Sequence, residues 1–311
     1  MLYVPLLLLI RTKMEAFKDF INLLRLRVNI YHNAKVCGNW LINEHALGAT
    51  CFHVVTTGQC LLDIPGHFQT EFNRGDLVIF PRELEHTMRS IGDTQGEQQH
   101  LSYSSSIDGT GMLCGEVSLM HLYRSKLLDA LPPVLLIRNT AKTEWLDRLV
   151  KLMLDESNEN ESTNDITINR LSELMFIYAL RHYLTHEKTE SGILALYANN
   201  KIATALEAFH KKPELKWDLA SLASTAGMSR TVFSDTFKRL SHWTVNQYTT
   251  WWRMQHAWEL LKAGEKVSEV ALSVGYQSEA AFSRAFRKQF EISAGDVRRG
   301  LDPGKAANLD E

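Results

Sequence analysis

Four cysteines are few for 311 residues, and none lies beyond Cys114. That count excludes the dense disulfide framework of a small secreted domain, and the thiols are expected to be reduced at rest. No run approaches the roughly 20 apolar residues of a membrane span. Low-complexity tracts and glycine-rich phosphate loops are missing too. Nor is there an excess of one charge: 34 Lys+Arg stand against 36 Asp+Glu. The balance is uneven along the chain, with 16 basic against 13 acidic residues over 201–311 and 18 against 23 over 1–200. A net of +3 in the last third permits moderate, salt-sensitive binding of a polyanion but does not by itself argue for it.

What is present is enough apolar residue, 45%, for two domains with cores of their own. The opening Met1 to Ile10 is apolar, with Arg11 and Lys13 after it. A signal peptide has its positive charge first, so this run lacks the expected layout of one. Met14 is the expected translation start, which makes the first 13 residues extraneous; a short membrane-surface anchor is the alternative. The expected compartment is the cytoplasm.

The most informative feature is a repeat 48 residues apart. Leu222-Ala223, Gly227, Phe233 and Phe237 recur as Val270-Ala271, Gly275, Phe282 and Phe286, with one extra residue after the second glycine. The small residue lets two helices approach, the glycine closes the first helix, and phenylalanines four apart share one face of the second. These are the requirements of a helix-turn-helix, present twice. Thr231, Asp235 and Lys238, with Arg230 and Ser234, lie away from the first aromatic pair; Ala280, Arg284 and Arg287, with Ser283, lie away from the second. Such side chains can reach base edges or phosphates in a major groove. Between the copies a helix is expected from Thr244 to Ala263, about 30 Å long, close to one turn of DNA.

Residues 218–299 resemble the DNA-binding domain of the AraC/XylS family of bacterial transcription regulators. The likeness is carried by Leu222-Ala223, Gly227-Met228-Ser229, Phe237-Lys238-Arg239, Arg253, Ala257, Leu260-Leu261, Val274-Gly275-Tyr276 and the run Phe282 to Lys288 with Phe290. It implies promoter DNA and RNA polymerase as partners, and activation more often than repression. The chain departs from the family after each second helix. The usual glycine and Ser-Pro pair are replaced by His242, Thr244 and Val245 and by Glu291, Ser293 and Ala294. Asp235 stands where relatives carry a basic or amide side chain, so the first copy is expected to contribute less affinity than the second.

The front half has short β-prone runs, Cys51–Thr56, Cys60–Ile64, Leu77–Phe80 and Gly111–Leu119, broken by Gly58, Pro65-Gly66, Asn73–Asp76 and Ile107–Gly109. A sandwich or barrel is expected. Gly75 to Pro81 followed by His86 resembles the second motif of cupins, with Glu83 for the usual glycine and Ser90 for asparagine. Of the first motif only His53 is left, after Gly48. Leu113-Cys114-Gly115-Glu116 and Leu128 to Pro133 fit the cupin-type sensor of one AraC subfamily. His53, His86 and Cys114 are candidate ligands of a divalent metal, zinc or copper. Cys37 and Cys114 are a candidate redox pair, whereas Cys51 and Cys60 read as core.

The expected whole is two-domain α+β: a cupin-like β-barrel, a helical linker and an all-α tandem helix-turn-helix. Its segments are 1–29, a sensor 30–135, a linker and dimerisation region 136–200, the DNA-binding domain 201–300 and a tail 301–311. Helices are expected at Thr143–Leu154 and Ile168–Leu184, the second with Leu171, Leu174, Met175 and Tyr178 on one face, and at Ile202–His210. The resemblance implies a homodimer and a small effector, and no catalytic residue is assigned. The rival readings are a cupin metal enzyme fused to a DNA-binding tail, a thiol- or metal-responsive regulator, and an RNA-binding or protein-interaction module.

Overall fold

The structure is a computed structural model, and it describes residues 17, 18, 21, 26–43, 49–92, 96–102, 108–119, 128, 131–159, 164–186 and 191–301. The expected start at Met14, Gly48, Ile107, Asp129-Ala130, the stretch 187–190 and most of the tail fall outside these residues. The chain divides into two compact units. One holds residues 26–119 and 131–186; the other holds 187–311 together with residues 1–25 and 120–130.

Among the described residues of the first unit, ten strands form two antiparallel sheets. They are β1 (Leu26–Cys37), β2 (Leu41–Ile42), β3 (Cys51–Thr57), β4 (Gln59–Ile64), β5 (Phe68–Asn73), β6 (Leu77–Phe80), β7 (Thr87–Arg89), β8 (Gln99–Ser102), β9 (Thr110–Leu119) and β10 (Leu135–Ile137). The larger sheet has the order β10-β6-β3-β9-β1-β8 and the smaller β2-β7-β4-β5. The expected two-domain α+β architecture is the one observed; among the described residues the barrel is not closed, and its strands pair as two antiparallel sheets facing each other across a core.

Alternation along the strands explains the layering. On β3, Cys51, His53 and Val55 point one way and Phe52 and Val54 the other. The first face meets Val78, Phe80, Met112, Cys114 and Val36 of its own sheet and Cys60, Leu62, Ile64, Phe72 and Met88 of the other. The second face is buried too, with Leu77, Ile79 and Leu113. Both faces of β3 are covered, so its run is apolar except for His53 and the closing Thr56-Thr57. Gly75 takes a left-handed φ of +80° against the Asn139 side chain, where a Cβ has no room. Asp76, almost fully buried, ties that turn down: its Oδ2 accepts from Asn73 N at 2.9 Å and from Arg138 at 2.8 Å.

Helices α1 (Glu144–Glu159) and α2 (Asn164–His186) complete this unit. Asn169 Oδ1 of α2 accepts from Ile30 N of β1 at 3.1 Å. The buried face of α2 carries Ile168, Ser172, Met175, Phe176, Ala179 and Leu180. Leu174, expected on that face, is instead exposed, as are Leu152 and Ile166.

The second unit is helical: α3 (Ile193–Ala198), α4 (Asn200–Lys211), α5 (Leu219–Thr225), α6 (Arg230–Ser241), α7 (Val245–Lys262), α8 (Val267–Ser273), α9 (Glu279–Phe290) and α10 (Ala294–Arg298). α7 is its spine, buried on nearly every side by Tyr248, Trp251, Trp252, Met254, Ala257, Trp258 and Leu261. At its first half, the Tyr248 hydroxyl lies 2.6 Å from that of Tyr197 and 2.8 Å from His210 Nε2. The His210 ring stacks on Trp252 with centroids 3.4 Å apart. Burial holds the His210 pKa well below its ordinary value, so this polar network is neutral. The second half of α7 joins Val270, Ala271, Phe282, Phe286 and Phe290 in a separate core.

Candidate nucleic-acid interface and sensor cavity

Each repeat builds the same turn. α5 opens with a reciprocal capping box, Ser221 N donating to Asp218 Oδ1 at 2.8 Å and Asp218 N to Ser221 Oγ at 2.9 Å. It closes at Gly227, left-handed at φ +61°, with Gly227 N donating to Ser224 O at 3.0 Å and Met228 N to Ala223 O at 2.9 Å. α8 closes the same way: Gly275 N reaches Leu272 O and Tyr276 N reaches Ala271 O, both at 2.9 Å. Serine then caps the next helix in each copy, Ser229 for α6 and Ser278 for α9. The extra residue of the second copy is Gln277, between the shared turn and that cap.

Past the caps the phenylalanines turn inward. Phe233 and Phe237, and Phe282 and Phe286, are fully buried, with ring centroids 5.9 and 5.6 Å apart in the two copies. Burial of one face fixes what is left outside. Arg230, Thr231, Asp235, Lys238, Ala280, Arg284 and Arg287 are exposed, and Ser234 and Ser283 are half-buried. The list drawn from the sequence omitted Arg239 and Lys288, both exposed on the same helices, and Val232, which is 53% exposed. Helical periodicity places all three outside.

The connecting helix is two residues shorter than expected, because Thr244 and Ala263 are its caps. Its 18 residues span about 27 Å. Arg253 is structural: its guanidinium donates to Pro213 O at 3.0 Å and Leu215 O at 2.9 Å. A Cβ on Gly275 would meet that same carbonyl and guanidinium at 2.9 and 3.1 Å, which explains the second glycine as a close approach as well as a turn.

In the first unit a cavity of about 290 Å³ opens beside the sheets, lined by Tyr31, His32, Asn43, His53, Gln98 and His100 among others, with Cys114 in its wall. His53 and His86 meet, Nε2 to Nε2, at 3.1 Å. His86 Nδ1 lies 2.8 Å from Leu84 O, and since a carbonyl only accepts, that nitrogen carries the proton. The His86 Nε2 lone pair therefore faces His53. His53 Nδ1 is buried without a partner. Burial first, then His86, then His32 hold the His53 pKa well below its ordinary value; burial, then His100, lower that of His32.

The expected metal set is only partly assembled. His53 and His86 come together, and Cys114 sits opposite His53 on β9. The donors that converge with His53 are instead Cys51 and Glu83, all within 4.8 Å of one another and all buried. Cys51 had read as inert core and Glu83 as a departure from the cupin pattern. Glu83 arrives on the segment that crosses from β6 to β7, pinned where Glu83 N donates to Ala49 O at 2.6 Å and Thr50 Oγ1 to Pro81 O at 2.7 Å. A buried set of one thiol, one carboxylate and two imidazoles fits a borderline divalent ion.

The expected redox pair is not brought together. Cys114 pairs with His32 on β1, and Cys37 lies five residues further along that strand, about 17 Å away at the rise of a β-strand. A disulfide needs Cα atoms within about 7 Å. Cys37 Sγ donates to Asp108 O at 2.8 Å, and burial pushes the Cys114 thiol pKa well up.

Residues 15–185 match the family model of the cupins, and residues 222–300 match a helix-turn-helix domain. An HTH-type transcriptional regulator of Haemophilus influenzae is 30% identical over 302 residues, 93% of this chain and 99% of the relative. An AraC-like transcription regulator of Streptomyces lividans is 27% identical, covering 92% and 98%. The RCS-specific activator RclR of Escherichia coli is 25% identical, covering 92% and 97%.

Proposed function

Because the chain belongs to the AraC-like transcription regulators, with a cupin domain ahead of its helix-turn-helix, we propose that α6 and α9 are the two helices that enter the major groove of promoter DNA. It is a DNA-binding regulator and not an enzyme. One observation carries the assignment of the two helices. Each buries a phenylalanine pair on one face and turns Arg230, Thr231, Asp235 and Lys238, or Ala280, Arg284 and Arg287, outward. An arginine so placed can donate two hydrogen bonds to guanine, and the serines and Thr231 can reach phosphate or base.

The cavity lined by Tyr31, His32, Asn43, His53, Gln98 and His100 is the assigned seat of a small effector. Such a ligand changes transcription only through a different affinity for two states of the chain. The regulator works in the cytoplasm as an activator, in contact with RNA polymerase; RclR of Escherichia coli is an activator. No helix of the described residues is long and apolar enough to cross a membrane. Exposed Leu152, Ile166 and Leu174 on α1 and α2 are assigned to a homodimer contact. Replacing Leu152 and Leu174 with glutamate should give monomers by analytical ultracentrifugation. The DNA assignment is tested by selecting operator sequences with the full chain and then measuring Arg284→Ala and Lys238→Ala on them at one fixed salt. Loss confined to particular bases for Arg284→Ala supports it; no loss for either variant contradicts it.

A further inference from the structure

We propose that Cys51, His53, Glu83 and His86 form a closed binding site for one zinc-type divalent ion between the two sheets. The donor atoms of Cys51, His53 and Glu83 lie within 4.8 Å of one another, and these residues are 2%, 2% and 5% exposed. Cys51 Sγ is 4.0 Å from His53 Nε2, and His86 Nε2 is 3.1 Å from that same nitrogen. Two imidazoles on one tetrahedral zinc sit roughly 3.3 Å apart, given Zn–N of about 2.0–2.1 Å. The His86 ring is oriented for this, since Leu84 O accepts its Nδ1 proton and its Nε2 is turned toward His53.

Charge and softness favour the same ion. A thiolate and a carboxylate together balance a dication, so the loaded site is neutral and its burial is not opposed by an unpaired charge. Sulfur binds the ion as thiolate, so loading the ion displaces the Cys51 proton to solvent. Thiolate and imidazole donors select zinc or copper over magnesium and calcium. The residues responsible are this chain's own. Cys51 is two before His53 and on the same face of β3, while Glu83 is three before His86 on the crossing segment. Four protein donors leave no open position for a substrate, which suits a structural or sensory ion and not a catalytic one.

The test is Co²⁺ titration of the chelator-stripped full chain, followed by displacement with Zn²⁺. The expected result is one equivalent bound, with a thiolate-to-cobalt charge-transfer band. Cys51→Ser should remove the band and Glu83→Gln should weaken Co²⁺ binding tenfold or more, while Cys114→Ser leaves both unchanged. Circular dichroism of each variant reports its folding. No Co²⁺ bound by the parent chain, or a band that survives Cys51→Ser, overturns the site. If Cys51→Ser does not fold, unchanged affinity in Glu83→Gln overturns it alone. Operator binding by the parent chain, measured alongside, tests the DNA-binding role separately.

Discussion

The two helix-turn-helix copies agree inside and differ outside. Their turns share the same pair of backbone hydrogen bonds after a left-handed glycine, and their aromatic pairs are buried alike. Their outward faces are not alike: α6 mixes Arg230, Asp235 and Lys238 with exposed Val232, whereas α9 presents Arg284, Arg287 and Lys288 after its first turn. Packing constrains the inner face in each copy because any volume change there is felt at once. The outer face answers only to what it binds. The difference therefore concerns which bases each copy reads and how much affinity each supplies.

The largest expected effect tests the likeness. Phe233→Ala and Phe282→Ala should each destabilise the chain by about 3–5 kcal/mol, read by denaturant unfolding. Costs that differ by much more than about 1 kcal/mol between the copies would mean that the two cores are not equivalent. The next effect tests the difference. Arg284→Ala should weaken operator binding by about 1–3 kcal/mol, and Thr231→Ala by less. Asp235→Asn should tighten binding and steepen its salt dependence, since a phosphate-repelling charge is removed. The reverse order for Arg284 and Thr231 would make the first copy the stronger reader.

A smaller pair of effects lies where each second helix ends. His242 and Glu291 hold left-handed backbones, φ 60° and 61°, a conformation that glycine adopts at no steric cost. Glu291→Gly should raise stability by about 1 kcal/mol, seen as a higher Tm. His242→Gly should gain less, because it gives up a 2.7 Å hydrogen bond between its Nε2 and Ser191 Oγ. The smallest effect concerns the first turns. Asp218 caps α5, and the Ser221 backbone N–H beside it lowers its pKa. Its folded pKa is below its unfolded one, so its contribution is present at neutral pH and is lost as pH falls through the folded value. α8 begins at Lys266, which provides no side-chain cap. Lys266→Asp should add about 0.5–1 kcal/mol, and that gain alone should vanish at acid pH in urea titrations.

The helical unit was legible because its constraints are local. A glycine that must be left-handed and phenylalanines that must share a face lie within a dozen residues of each other. The sheets were less legible. β1 mixes polar and apolar positions and carries a bulge near Tyr31, so its 12 residues show no clean alternation. β7, β8 and β10 are three or four residues long and are held by partners far away in sequence. Closure into a barrel is a property of pairing across the whole unit, and no local spacing reports it. At the sensor site, His53 and His86 could be found by motif, but Glu83 is brought in by a segment crossing between sheets. Cys51 did carry a signal, since a spacing of two on a strand puts it beside His53. Cys114 lines the cavity wall with His53, yet Cys51 and Glu83 are the donors that converge on it.

The central claim is that both copies read one stretch of duplex DNA. Hydroxyl-radical footprinting of the full chain on its selected operator tests it most directly. The account predicts two protected segments on one face of the duplex, about one helical turn apart, with Arg284→Ala fading one of them and sparing the other. A single protected segment, or two that fade together, would contradict it.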